Sequence, residues 1–295
     1  MNYTMTNGEI FIAVSPTGGE LYSLVDLTQN NKEYLWEGDE TYWNGRAPNL
    51  FPIVGRIKNN GTYAYQNKTY HIDSPHGFLR QCKMNLTGHS DNSMEFSLRS
   101  NLVTKKQYPF DFEFKVKYII EKKKLTIQYT IDNLSATETM IFACGAHPGF
   151  KVPINSKKNF EDYFIEFLTP ATPNQLLLDG AFLTGKKKPY LMENNTTIPL
   201  KHELFDNDVI LLENASKGLT IKSKRGRNKI VVTYPNFKYI GIWHTNQSDA
   251  PFVCIEPWNG LPSYATDDEI LESKAEMTHL PPLQTYCAEF SIEIY

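Results

Sequence analysis

Alternation of apolar and polar positions is clearest over Phe112–Glu121. Phe112, Phe114, Val116 and Tyr118 fall on one face, and Glu113, Lys115 and Lys117 on the other. A period of two predicts a half-buried strand. Leu125–Ile131 alternates again after the charged run Lys122–Lys124, which reads as a solvated hairpin tip, and Asp132-Asn133 reads as a turn. Shorter runs of strand character occupy Glu9–Val14, Glu20–Leu27, Lys83–Thr87, Met94–Arg99, Tyr163–Leu168 and Val209–Leu212. Leu219–Ser223, Lys229–Tyr234, Tyr239–His244 and Thr285–Tyr295 complete the series. Between them stand turn residues such as Gly18-Gly19, Asn60-Gly61, Arg225-Gly226-Arg227 and Pro235-Asn236. Tyr63–Tyr65 and Thr69–Ile72 flank Asn67 as the arms of a hairpin. Trp43–Phe51 is expected to be irregular and Thr169–Pro199 loop-rich, with Lys186–Lys188 exposed. Thr266–Glu269 matches a capping box and predicts a short helix near Ile270.

Short strands with turns every eight to twelve residues or so, and few helical periods, predict an all-β fold, a large antiparallel β-sandwich. No linker composition divides the chain, so residues 1–295 are expected to form a single domain.

Four apolar or Pro/Gly-bracketed stretches carry a polar residue out of keeping with their surroundings. Pro52–Ile57, a buried-strand candidate, carries Arg56. Ser74–Arg80 is a turn enclosing His76. Met140–Phe150 runs an apolar strand into His147-Pro148, and Phe252–Trp258 runs another into Glu256-Pro257. A proline restricts the residue before it to extended geometry and cannot donate to a ladder. Glu256 is therefore expected where its strand ends. A carboxylate between apolar residues and Trp258 is costly to bury without a partner.

Composition narrows the functional classes. The chain is 41% hydrophobic and 21% charged, with 17 Tyr and 17 Phe, enough apolar material for a large core. A net charge of −3 gives no electrostatic reason to expect nucleic acid or an anionic membrane. Cys82, Cys144, Cys254 and Cys287 form no Cys-x-x-Cys pair and are expected as reduced, buried thiols of a cytoplasmic protein. The N-terminus lacks the pattern of a signal peptide, and no segment approaches the ~18 apolar residues of a membrane span. His76 and His147 lack the close spacing of a zinc motif, so no metal is expected. No Gly-x-Ser-x-Gly elbow supports a serine hydrolase. A glycosidase needs two carboxylates facing one bond, and Asp206, Asp208 and Glu256 keep that option open.

Val54-Gly55-Arg56-Ile57, Pro75-His76-Gly77-Phe78-Leu79-Arg80, Gly145-Ala146-His147-Pro148-Gly149-Phe150, Asp206-Asn207-Asp208 and Cys254-Ile255-Glu256-Pro257-Trp258 occur in that order. This ordered set resembles the galactose mutarotase (aldose 1-epimerase) superfamily, and within it the LacX-like branch. The resemblance spans nearly the whole chain. It implies a β-sandwich that interconverts the α and β anomers of a small sugar, a hexose, without a cofactor. It also implies His147 as general acid, Glu256 as general base, and Arg56 and His76 as ligands of sugar hydroxyls. An aspartate of the set would hold further hydroxyls; Asp208, placed just before Val209-Ile210, is favoured over Asp206. Trp258 and Trp243 are candidates to stack on the sugar, with Trp243 read rather as core. In typical galactose mutarotases two glycines follow the first histidine, whereas here the run is His76-Gly77-Phe78-Leu79-Arg80. That run is similar to the hexose-6-phosphate 1-epimerase branch, where arginines hold phosphate, so Arg80 is a candidate phosphate ligand. A non-catalytic sugar-binding protein on the same fold is the competing class.

Overall fold

The structure, a computed structural model, describes residues 1–295. Two large antiparallel sheets dominate. The nine-stranded sheet runs, edge to edge, through Thr197–Pro199, Tyr163–Phe167, Gly218–Ser223, Lys229–Thr233, Thr285–Ile294, Lys124–Asn133, Phe112–Glu121, Ser93–Arg99 and Asn85–His89. In the eight-stranded sheet the order is Phe182–Pro189, Asn174–Asp179, Ile210–Glu213, Tyr239–Trp243, Phe252–Asn259, Cys144–Ala146 and Asn49–Leu50, with Gly149–Lys151 also paired to Phe252–Asn259. The all-β sandwich read from the alternation is the fold observed. Phe112–Glu121 keeps its predicted limits, and its burial alternates residue by residue up to Ile120.

The sheets share one core. Phe114, Tyr118 and Tyr129 of the nine-stranded sheet and Ile240, Val253 and Ile255 of the eight-stranded sheet belong to the same buried cluster. Side chains alternate along a strand. On Phe252–Asn259, Val253 and Ile255 therefore enter the core, while Cys254, Glu256 and Trp258 face the other side of the sheet. There Trp258 packs with Leu50, Val209, Leu211 and Tyr239. Cys254 packs with Trp36, Ala250 and Phe252. This second face is roofed by loops, and the candidate site lies under them.

Several expectations need correction. Pro52–Ile57 is not a strand but an irregular clasp. Gly55 has φ +71, and a Cβ there would lie 2.3 Å from Pro262 Cγ, so the backbone turns where no side chain could follow. The irregular Trp43–Phe51 contributes the two-residue strand Asn49–Leu50. Asp132 and Asn133 end a strand rather than turn. Phe252–Asn259 runs straight through Glu256-Pro257 instead of ending there. Ile255 N–H donates to Pro148 O, and amides two apart point the same way. The amide that Pro257 lacks would have pointed at the same neighbour, where strand pairing is broken between Ala146 and Gly149. Thr169–Pro199 contains the hairpin Asn174–Asp179/Phe182–Pro189, an edge whose exposed lysines suit a solvated sheet border.

No helix forms at Ile270. The Glu269 carboxylate is drawn inward to Lys58 N–H at 2.8 Å and to Lys274 Nζ at 3.7 Å instead of capping a turn. Cys144 and Cys254 are buried, but Cys82 is half-buried and Cys287 exposed, on the outward side of its strand. All four are free thiols. No helix of the chain is long and apolar enough to cross a membrane.

Phe51 joins the core to the clasp. It is fully buried, and its ring lies 5.0–6.4 Å from those of Phe78, Tyr108, Phe112, Phe114 and Phe142. Its N–H donates to His76 O, and its carbonyl accepts from Leu79 N–H. Phe51→Ala should lower unfolding free energy by about 3–5 kcal/mol in urea titration, as for other buried Phe deletions. A loss under ~1 kcal/mol would show that the aromatic cluster closes around the deletion.

Candidate active site

The second face of the eight-stranded sheet holds a cavity of about 340 Å³, at the small end of ligand pockets, which span about 300–1,000 Å³. Arg56, His76, Arg80, His147, Asp208, Glu256 and Trp258, candidates from far-apart stretches, all line it. Asp206 does not, and is exposed.

His147 and Glu256 meet at the floor. His147 Nε2 lies 3.2 Å from Glu256 Oε2, with the residues 7% and 1% exposed. Their positions follow from the broken pairing. Cys144–Ala146 and Gly149–Lys151 both pair with Phe252–Asn259, and His147-Pro148 spans the gap between them. Loop backbone holds the gap open: His147 N–H donates to Pro48 O, and Gly149 N–H to Arg46 O. Gly145 lies opposite Trp258, and a Cβ on it would stand 2.8 Å from the indole. Only glycine lets the indole lie flat beside this strand.

Burial sets the electrostatics. It pushes the Glu256 carboxyl well above the usual carboxylate range, reinforced by the nearby Asp208 charge. It pushes the His147 imidazole well below its ordinary value, helped by His76 and Arg80. Both shifts favour a neutral pair sharing one proton across the 3.2 Å contact. His147 Nδ1, Glu256 Oε1 and Trp258 Nε1 find no hydrogen-bond partner in the protein. Such atoms are expensive to bury unless something else satisfies them.

His76 sits across from His147, ring centroids 5.4 Å apart. Its Nδ1 accepts from Gly55 N–H at 3.1 Å, which leaves the hydrogen of the neutral ring on Nε2. Burial, then Arg80 and Arg56, lower its pKa to about 3, so it stays neutral. Asp208 Oδ1 accepts from Val209 N–H at 2.8 Å. Burial raises its pKa, against the pull of that bond and of Arg56. His76 and Asp208 have φ of +65 and +73, left-handed conformations that non-glycine residues adopt at a cost. Neither Arg56 nor Arg80 forms an ion pair within the chain.

Sequence reasoning missed part of the wall. Trp43 stacks on His147 at 4.8 Å and 29°. Trp243 is not core: it is half-buried, lines the cavity, and meets His147 edge-on at 5.5 Å. Asn246, whose Oδ1 accepts from Trp243 Nε1, also lines it. A large aromatic inside the polar, irregular Trp43–Phe51 stretch was the available signal for Trp43.

Donor atoms of His147, Cys254 and Glu256 lie within 4.8 Å of one another, a set that could hold a metal ion. Its support is poor. Metal-bound imidazoles usually donate their second N–H to a carbonyl or carboxylate, and His147 Nδ1 has neither. Burial also keeps the Cys254 thiol protonated, pushing its pKa well up.

Comparison with known proteins gives the chain its family. Residues 1–279 match the model of the aldose 1-epimerase family. The chromosomal LacX protein of Lactococcus lactis subsp. lactis is 31% identical over 301 aligned positions, covering 100% of this chain and 99% of that protein. A galactose mutarotase related enzyme from Lactobacillus acidophilus superposes with a TM-score of 0.95 at 32% identity, covering 100% of this chain and 97% of the other. A galactose mutarotase-like protein from Lactobacillus casei gives 0.91 at 29% identity, with both chains fully covered. Matched along its length in sequence and in fold, the protein belongs to the aldose 1-epimerase family, in its LacX-like branch.

Proposed function

We propose that the protein is an isomerase that interconverts the α and β anomers of a hexose by acid–base ring opening and closure. The contact between His147 and Glu256 at the cavity floor carries this reading. In a pyranose, O1 and O5 are both bonded to C1. A proton must leave O1 as another reaches O5, so acid and base must converge on one carbon. A histidine and a glutamate 3.2 Å apart meet that requirement.

Glu256 as carboxylate takes the O1 proton, and His147 as imidazolium gives one to O5. C1–O5 breaks, C1=O1 forms, and the open-chain aldehyde turns about C1–C2. O5 then attacks the other face of C1 as both protons return. In the resting neutral pair the shared proton first moves from Glu256 to His147, and the ring-opening transfer returns the pair to the neutral state that burial favours. Arg56, His76 and Asp208 would hold the ring hydroxyls, and the indole of Trp258, Trp43 or Trp243 its apolar face. No step needs a cofactor.

A second reading has the same chemistry acting on a hexose 6-phosphate. It is favoured by two arginines, Arg56 and Arg80, that share the cavity without an acidic ion-pair partner.

Glu256→Gln and His147→Asn should each lower the catalysed rate by about 10²–10⁴ in polarimetry of fresh α-glucose and α-galactose. Either variant turning over normally ends the corresponding assignment. Drift at the spontaneous rate in the unaltered protein would favour the sugar-binding class.

The pH profile has a definite sign. Below the working range the pair gains a second proton and Glu256 is no base; above it the pair loses its proton and His147 is no acid. Burial resists both charged states, moving the acid limb down and the alkaline limb up. The expected profile of kcat/KM is a plateau running through pH ~6.5, where an ordinary histidine would titrate. A single step centred there would show that the proton is not shared.

Arg80→Ala tests the second reading. A loss of about tenfold or more on glucose 6-phosphate, with glucose affected far less, assigns Arg80 to phosphate. Equal effects on the two substrates assign it to the sugar or the scaffold.

A further inference from the structure

Stacking on a sugar would use the face of the Trp258 indole and leave its N–H idle. That N–H is buried with no acceptor in the protein, in a residue only 2% exposed that lines the cavity. An indole nitrogen can only donate. Leaving such a donor without a partner is costly, and a substrate that supplies the acceptor recovers the cost.

The sheet fixes where the N–H sits. Glu256 and Trp258 are two apart on one strand and face the same side. Gly145 pairs with Trp258 on one flank of that strand, and Gly241 with Glu256 on the other. A Cβ on Gly145 would stand 2.8 Å from Trp258 Cδ1. A Cβ on Gly241 would stand 3.5 Å from Trp258 Cζ2 and 3.3 Å from Glu256 Cβ. Nε1 lies on the ring edge between Cδ1 and Cζ2, so this edge crosses the strand toward the Glu256 position. On Glu256, Oε2 meets His147 Nε2 at 3.2 Å, and Oε1 has no partner. A buried donor and a buried acceptor thus neighbour each other without bonding. A hydroxyl placed between them, accepting from one and donating to the other, satisfies both.

We propose that this hydroxyl is O1 of the sugar, and that the Trp258 N–H is a catalytic hydrogen-bond donor to it. This rests on the mutarotase reading and adds a third group to its chemistry. The O1 proton passes to Glu256 Oε1 while the indole keeps its own hydrogen. The electron pair left on O1 forms C1=O1, and the C1–O5 pair takes the proton from His147. Charge that builds on O1 before the double bond is complete is met by a fixed donor in a water-poor site, where such a bond counts most.

The test removes the N–H and keeps the ring. Benzothienylalanine at position 258 has the fused-ring shape with sulfur in place of N–H, and Trp258→Phe is the encoded counterpart. Both should lower kcat in polarimetry of glucose by about tenfold or more. Calorimetric titration locates the contact by comparing glucose with 1,5-anhydroglucitol, which lacks O1, and with 2-deoxyglucose. Loss of the N–H should weaken glucose and 2-deoxyglucose about threefold or more beyond any effect on 1,5-anhydroglucitol. Equal weakening of all three sugars overturns the proposal, whatever kcat does, and leaves Trp258 as an apolar platform. Weakening of glucose and 1,5-anhydroglucitol with 2-deoxyglucose spared also overturns it, by placing the donor on O2. An unchanged kcat in the benzothienylalanine protein overturns the catalytic role. Absence of catalysed mutarotation in the unaltered protein overturns the mutarotase reading, and with it any catalytic role; the comparison of binding constants then decides the contact with O1 by itself.

Discussion

A gap in strand pairing underlies the site. Phe252–Asn259 is paired along one side by Tyr239–Trp243 without interruption. On its other side the neighbour breaks at His147-Pro148, between two short strands. A continuous ladder there would give both chains regular hydrogen bonding and leave the side chains standing parallel. The break lets the His147 ring fold back onto Glu256. Both prolines sit at the interruption, where a missing N–H costs least. The polar groups that the sheet gives up are met by loop carbonyls at Arg46 and Pro48.

The cost of this arrangement is concentrated around one small space. An unpartnered buried polar atom costs about 1–3 kcal/mol, and a left-handed non-glycine residue about as much. Here Glu256 Oε1, His147 Nδ1 and Trp258 Nε1 lack partners, and His76 and Asp208 are held in left-handed conformations. Elsewhere many left-handed non-glycine residues are turn asparagines, which tolerate the conformation. The large shared core supplies the stability that a site of this kind consumes, and Phe51 ties that core to the clasp presenting Arg56 and His76.

The walls divide the labour by chemistry. The sheet contributes Glu256 and Trp258 on one strand, and the gap between Cys144–Ala146 and Gly149–Lys151 contributes His147. Loops contribute Arg56, His76, Asp208 and the Trp43 ring, nearer to solvent, while the Trp243 ring comes from the end of the strand Tyr239–Trp243. Loop residues can vary without moving the buried His147–Glu256 contact, which the sheet and its broken neighbour hold in place. Arg56 and Arg80 are on the loop side of that division.

The sequence alone determined the fold class and the pieces of the site. Period-two burial over Phe112–Glu121 needs no partner strand to be read, because the alternation of side chains is a property of a single extended chain. His147-Pro148 and Glu256-Pro257 stood out because a polar residue locked by proline in an apolar run conflicts with both propensity and burial. The tertiary structure decided what those conflicts were for. Whether Phe252–Asn259 stops at Glu256 or passes it depends on what lies alongside, and only the fold brings the broken neighbour there. Trp243 read as core because a strand tryptophan is usually packed; that it borders a cavity depends on loops distant in sequence. The helix expected at Thr266–Glu269 gave way because Lys58 N–H and Lys274 compete for the same carboxylate across the fold. Local pattern fixes which face a residue takes along its own strand, whereas the meeting of His147 with Glu256, more than a hundred positions away, exists only once the sheet has formed.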